Sequence, residues 1–118
     1  MNEANVHIAV VEYLDLVLPA GSIVFHPANG EYRDKRTAAK LRRMGVKPGI
    51  PDLVIVSSGG RVAFLEVKPE KGGQLSRPQR DFRDWCLTHS VPYGICLSID
   101  DARAFLDRLG IETREVLS

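Results

Sequence analysis

Residues 49–56, GIPDLVIV, and residues 64–73, FLEVKPEKGG, decide how this chain is read. Gly59-Gly60 lies between two apolar, β-branched runs, about Asp52–Ser57 and Arg61–Lys68, and that pattern predicts a β-hairpin. If the loop is the three residues Ser58-Gly59-Gly60, Ser57 pairs with Arg61, and the antiparallel register sets Asp52 opposite Glu66. Glu66 and Lys68, two apart on one strand, then point to the same face. Such a strand does not keep carboxylates without a reason, because desolvating them is costly. Two adjacent carboxylates also repel unless a proton or a cation lies between them, and hard oxygen donors favour Mg²⁺ or Mn²⁺. Lys68 adds a point positive charge. Hydrolysis of a phosphodiester asks for these parts: a cation to hold the phosphate and acidify water, and an ammonium to orient the nucleophile or offset developing charge. Glu-x-Lys alone is common on solvated strand ends; Pro51-Asp52 at this distance across a Gly-Gly turn sets the hairpin apart.

Around the hairpin, the chain reads as a single series of short elements without repeats. From about Glu3 to Leu18, Val6, Val10, Tyr13, Leu14 and Val17 recur at helical spacing, and Ile8, Val11 and Leu18 widen the stripe, which predicts a largely buried helix. Ser22–His26 reads as a strand stopped by Pro27. The basic segment that follows opens with a turn, and its second half suits a short helix ended by Gly45. Beyond the hairpin, Lys71–Gln74 reads as a loop. Ser76-Arg77-Pro78-Gln79 matches a capping box with proline in the first turn, opening a helix expected to bury Phe82, Trp85 and Cys86. Tyr93–Ser98 reads as a fourth strand. Ser98 caps a last helix with Ala102, Phe105, Leu106 and Leu109 on its apolar face. The expected fold is α/β, in the order αβββαβα, with the basic insertion between the first two strands.

The chain has 118 residues, 44% hydrophobic and 26% charged, which suits one globular domain and excludes collagenous, disordered and disulfide-scaffold classes. No apolar run reaches the ~20 residues that span a bilayer, and no basic n-region opens the chain, so a cytoplasmic setting is expected. Cys86 and Cys96 read as buried small hydrophobes. The net charge of +1 hides an uneven division. Residues 1–30 hold no Lys or Arg; residues 31–48 hold seven against Glu31 and Asp34. A basic run is ordinarily a solvated face, but beside a phosphodiesterase site it becomes a phosphate track: Arg33, Lys35, Arg36, Lys40, Arg42, Arg43 and Lys47, with Lys71, Arg77 and Arg80 on another side. Tyr32 is the only aromatic residue among them, so base stacking has little support.

With Pro51-Asp52 and Glu66-Val67-Lys68 in place, the sequence resembles the PD-(D/E)xK nuclease superfamily, whose restriction-endonuclease-like core is a mixed four-stranded sheet flanked by helices. Through HPANG, LRRMGVKPGIPDLVIV and FLEVKPEKGGQLSRPQRDF it is similar to stand-alone VRR-NUC domains of phage and bacteria, over most of a single domain spanning residues 1–118. The resemblance implies a divalent-metal-dependent DNA endonuclease. Asp52, Glu66 and the backbone carbonyl of Val67 would hold Mg²⁺ or Mn²⁺, Lys68 would be the catalytic lysine, and an acid on the first helix would complete the site. Glu3 matches that acid's place, with Glu12 the alternative; Glu3 equally suits a helix N-terminus through the macrodipole. Gln79 corresponds to the family's glutamine after the Glu-x-Lys strand, or serves only the capping box. His26 and Asn29 resemble a polar pair of phage members near the cleft mouth, though a strand-end histidine and an Asn-Gly turn explain them as well. His7 either lines the site or is a core histidine. The resemblance further implies a homodimer that cuts branched DNA like a Holliday-junction resolvase, with no organic cofactor and no membrane partner. A nuclease of flap, nick or duplex preference, or a DNA-binding module without catalysis, are the alternatives.

Overall fold

In the computed structural model, which describes residues 1–27 and 34–114, the elements run α1 (Glu3–Val17), β1 (Ile23–Phe25), α2 (Lys35–Arg43), β2 (Leu53–Val56), β3 (Val62–Val67), α3 (Arg77–Thr88), β4 (Tyr93–Cys96) and α4 (Ile99–Leu109). The strands form one mixed sheet in the order β1-β2-β3-β4, antiparallel except for the parallel β3–β4 pair. Pairing of Leu53 with Leu65 and Val56 with Val62, and the Ser57 N–H donating to the Arg61 carbonyl at 2.8 Å, reproduce the register expected for a Ser58-Gly59-Gly60 loop. The parallel pair is reached through α3, as a crossover requires.

The hairpin's period of two divides its residues between the layers. Leu53, Ile55, Ala63, Leu65, Val67 and Cys96 join Val6, Val10 and Leu14 of α1 and Phe105 and Leu106 of α4 in one core. The opposite sheet face meets α3, where Phe64 and Phe82 pack edge to face with ring centroids 5.1 Å apart. Gly94 permits the close approach of α4, because a Cβ there would lie 2.6 Å from Phe105 Cδ1 and 3.2 Å from Leu65 Cδ2. Both cysteines are free and buried, and burial pushes the Cys96 thiol up to about 11.

Two burial expectations are corrected. Ile8 is 55% exposed, because α1 packs by one stripe and not around its circumference. Trp85 is 51% exposed, lying stacked between Phe82 and His89 on the outer side of α3 while Cys86 takes the buried position. The basic insertion forms α2, N-capped by Asp34 with Lys40, Arg42 and Arg43 in its last turn, where cations offset the helix dipole. Among the described residues, α2 packs against no other helix or strand. No helix of the described residues is long and apolar enough to cross a membrane.

Candidate active site

The hairpin delivers two acids to one place. Asp52 precedes β2 and is half-buried; Glu66 lies near the end of β3 and is 2% exposed. Asp52 Oδ2 accepts the Val67 N–H at 2.9 Å, which holds the carboxylate against the neighbouring strand. The Lys68 N–H turns the other way and donates to the Cys96 carbonyl at 3.0 Å. Backbone alternation therefore directs the Val67 carbonyl to the Asp52 side.

Lys68, only 8% exposed, places Nζ 3.4 Å from Glu66 Oε2 and donates to Gln79 Oε1 at 3.3 Å. Gln79 Nε2 in turn donates to Glu66 Oε2 at 2.9 Å. The same Gln79 side chain closes the capping box: its Oε1 accepts the Ser76 N–H at 2.8 Å, and the Gln79 backbone N–H donates to Ser76 Oγ. Gln79 caps α3 and touches Glu66 at once because the N-terminus of α3 abuts the end of β3. Gly49 makes that approach possible from the Asp52 side. Its φ is +84°, and a Cβ would lie 2.3 Å from the Pro78 carbonyl oxygen.

Asp52, Glu66 and Gln79 line a cleft of about 390 Å³ whose walls also include Glu3, His26 and Lys47. Glu3, in the first turn of α1, reaches it because the Glu70 N–H donates to the Met1 carbonyl at 3.3 Å and ties the helix start to the segment after β3. Glu12, about two and a half turns further along, is exposed and not among the lining residues. His26 Nδ1 lies 2.6 Å from the Asp52 carbonyl oxygen, and the rings of His26 and His7 meet edge to face at 4.8 Å. Burial and then His26 hold the His7 imidazole below its usual pKa, against the opposing pull of Asp52 and Glu3. Nothing local in the sequence pairs these two histidines; α1 and the end of β1 bring them together.

Electrostatics fit a cation here. Burial first, and then the charge of Asp52, raise the Glu66 carboxyl to about 7, with Lys68 pulling the other way. A cation beside the two carboxylates would offset the desolvation and repulsion that raise Glu66, and their oxygen donors suit a hard divalent ion. Asp52, Glu66 and the Val67 carbonyl are the groups that would hold it.

Of the basic residues, Lys35, Arg36, Lys40, Arg42 and Arg43 lie on α2, all exposed, and Lys47 lines the cleft. Lys71 and Arg77 are exposed in the segment joining β3 to α3 and at the start of α3, where Arg80 Nη1 donates to the Leu75 carbonyl at 2.8 Å. Asn29 and Arg33 lie outside the described residues.

An acid before one hairpin strand, with Glu-x-Lys closing the next against a helix-borne glutamine, defines a nuclease core of the PD-(D/E)xK type on an α/β sheet. The VRR-NUC domain family model matches residues 28–100, more than half of the chain, and the chain belongs to that family. Membership implies a nuclease acting on DNA with use of a divalent metal. The match takes in Asp52, Glu66, Lys68 and Gln79; α1, with Glu3 and His7, and His26 after β1 lie before it. Comparison with curated proteins and comparison with solved structures each give no match.

Proposed function

We propose that this chain is a structure-specific DNA endonuclease that cuts branched DNA in the manner of a Holliday-junction resolvase, working as a homodimer with Mg²⁺ or Mn²⁺. The observation that carries the catalytic part is the closed triangle of Glu66, Lys68 and Gln79 beside Asp52, whose carboxylate accepts the Val67 N–H, with Asp52, Glu66 and Gln79 lining one cleft. When bound, the divalent ion supplies Lewis-acid polarisation of the phosphate and lowers the pKa of water. Asp52, Glu66 and the Val67 carbonyl hold it, and Glu3 completes the acidic wall. Lys68 is held in place by Glu66 and Gln79, ready to offset charge developing on the phosphate.

Support for a second copy comes from Ile23, Phe25 and Val62, exposed apolar side chains on the sheet face away from α1. Two clefts related by a two-fold axis suit a substrate with paired strands to cut. The experiment is cleavage of labelled four-way junction, flap and linear duplex with Mg²⁺ or Mn²⁺, beside Lys68→Ala. The junction is expected to be cut by the native chain, and the variant to bind it while losing about 10²–10³-fold in rate. Cutting of flap or linear DNA alone removes the junction assignment. Binding with no cleavage under either metal leaves a DNA-binding module.

Recognition of the DNA backbone falls to α2. Arg36, Lys40 and Arg43 share one face of it, and a nine-residue helix that packs against no other helix or strand of the described residues is marginal by itself. Phosphates along that face supply counter-charge to it. Replacing Lys40 and Arg43 together by alanine is expected to reduce the slope of log binding constant against log salt by roughly two. An unchanged slope would place the DNA elsewhere.

A further inference from the structure

One ring nitrogen of His7, one of His26 and one carboxylate oxygen of Asp52 lie within 4.8 Å of one another. They come from three separate places in the chain: the first half of α1, the residue after β1 and the residue before β2. The carbonyl oxygen of Asp52 can only accept, so the 2.6 Å contact calls for a proton on His26 Nδ1, and in the neutral imidazole Nε2 is then the nitrogen with the free lone pair. A backbone carbonyl that holds one imidazole nitrogen and so presents the other is the arrangement found around histidines that ligate metals. His7 and His26 meet edge to face with an interplanar angle of 90°, not stacked, so neither ring covers the other.

The donor set differs in kind from that of the carboxylate pair. Asp52, Glu66 and the Val67 carbonyl offer oxygen alone, which suits Mg²⁺ and Mn²⁺; two imidazoles with one carboxylate suit a borderline transition ion such as Zn²⁺ or Co²⁺. At metal–nitrogen distances of about 2.0–2.1 Å, tetrahedral ligands stand roughly 3.4 Å apart, so the widest separation, 4.8 Å, must close by roughly 1.4 Å. His26 is exposed and His7 and Asp52 are half-buried, which leaves their side chains room to close.

We propose that His7, His26 and Asp52 form a second cation site on the cleft wall, selective for a borderline divalent transition metal over Mg²⁺, with Asp52 shared between the two sites. The two imidazoles favour a Zn²⁺-class ion and not Mg²⁺, so the stronger claim on Asp52 is that of the transition ion and excess Mg²⁺ does not displace it. Binding at this site does not require that the chain cut junctions or any other DNA.

The test is titration of the chelator-treated full chain with Co²⁺, followed by its visible d–d absorption, and with Zn²⁺ by calorimetry. The expected result is one ion per chain, a d–d band that survives excess Mg²⁺, and affinity at least about tenfold lower in His7→Ala and in His26→Ala. Glu66→Gln keeps the band, which separates this site from the oxygen-donor site and makes the result independent of cleavage. Where an alanine variant shifts the urea midpoint of the metal-free protein, His7→Gln or His26→Gln takes its place and is expected to lose affinity likewise. A missing band, a band undiminished when both histidines are replaced, or its displacement by Mg²⁺ would overturn the proposal.

Discussion

Glu66→Gln is expected to lower cleavage by about 10³-fold while making the metal-free protein more stable at pH 8. The cause of both is the burial of a carboxylate. Glu66 is 2% exposed and its carboxyl is raised from 4.5 to about 7, chiefly by desolvation and next by Asp52. Between those two pH values the folded chain keeps a proton that the unfolded chain has released, so stability falls as pH rises through the window. The fall amounts to at most about 3 kcal/mol, with the opposing pull of Lys68 already contained in the raised value. The amide of the Glu66→Gln variant has no charge to desolvate and still offers an oxygen to the Gln79 amide, so its stability should not share that decline. Urea unfolding in chelator at pH 5 and pH 8 reads the difference. Equal pH dependence in the two proteins would mean that Glu66 is not held in a desolvating site. Added Mg²⁺ or Mn²⁺ should reverse the order, because an ion that binds only the folded native site stabilises it by mass action.

Gly49→Ala is the second large effect, and it reaches the site through the backbone. At φ +84° an alanine is strained by about 1–2 kcal/mol, and its Cβ would lie 2.3 Å from the Pro78 carbonyl oxygen and 2.9 Å from the Gln79 nitrogen. A backbone collision is not relieved by rotating a side chain. Either the loop carrying Pro51-Asp52 or the first turn of α3 must move, and Gln79 then leaves Glu66. A stability loss of about 3 kcal/mol or more is expected, with cleavage down about 10²-fold in the protein that remains folded. Gly60→Ala is the control, since Gly60 has φ +83° with nothing within 4 Å of the added Cβ, so it bears the strain without the collision. If both variants lose the same stability, the contact between Gly49 and the start of α3 does not organise the cleft.

Much of this site was legible because it is local. Asp52, Glu66 and Lys68 belong to one hairpin, and the two-residue period of a strand with a Gly-Gly turn sets their register from spacing alone; the observed pairing is the expected one. Ser76 and Gln79 announce a helix start by their spacing for the same reason. That Gln79 reaches Glu66 while it caps the helix could not be read there, because it depends on how close the helix start comes to β3. Trp85 shows the opposite limit: its type and spacing fit a buried position, but its neighbour Cys86 faces inward and the ring stays at the surface between Phe82 and His89.

Residue order alone was enough for the elements, the hairpin register, the pair of acids with their lysine, and the concentration of basic charge in one insertion. It took the packed chain to settle that Glu3 and not Glu12 lines the cleft, that His7 meets His26 beside Asp52, and that α2 stands apart from the core. The difference is one of range. Hydrogen-bonded strands and helix caps couple residues a few positions apart through fixed backbone geometry, whereas α1, β1 and the loop before β2 meet only because burying the stripe of Val6, Val10 and Leu14 against the sheet fixes where the helix ends.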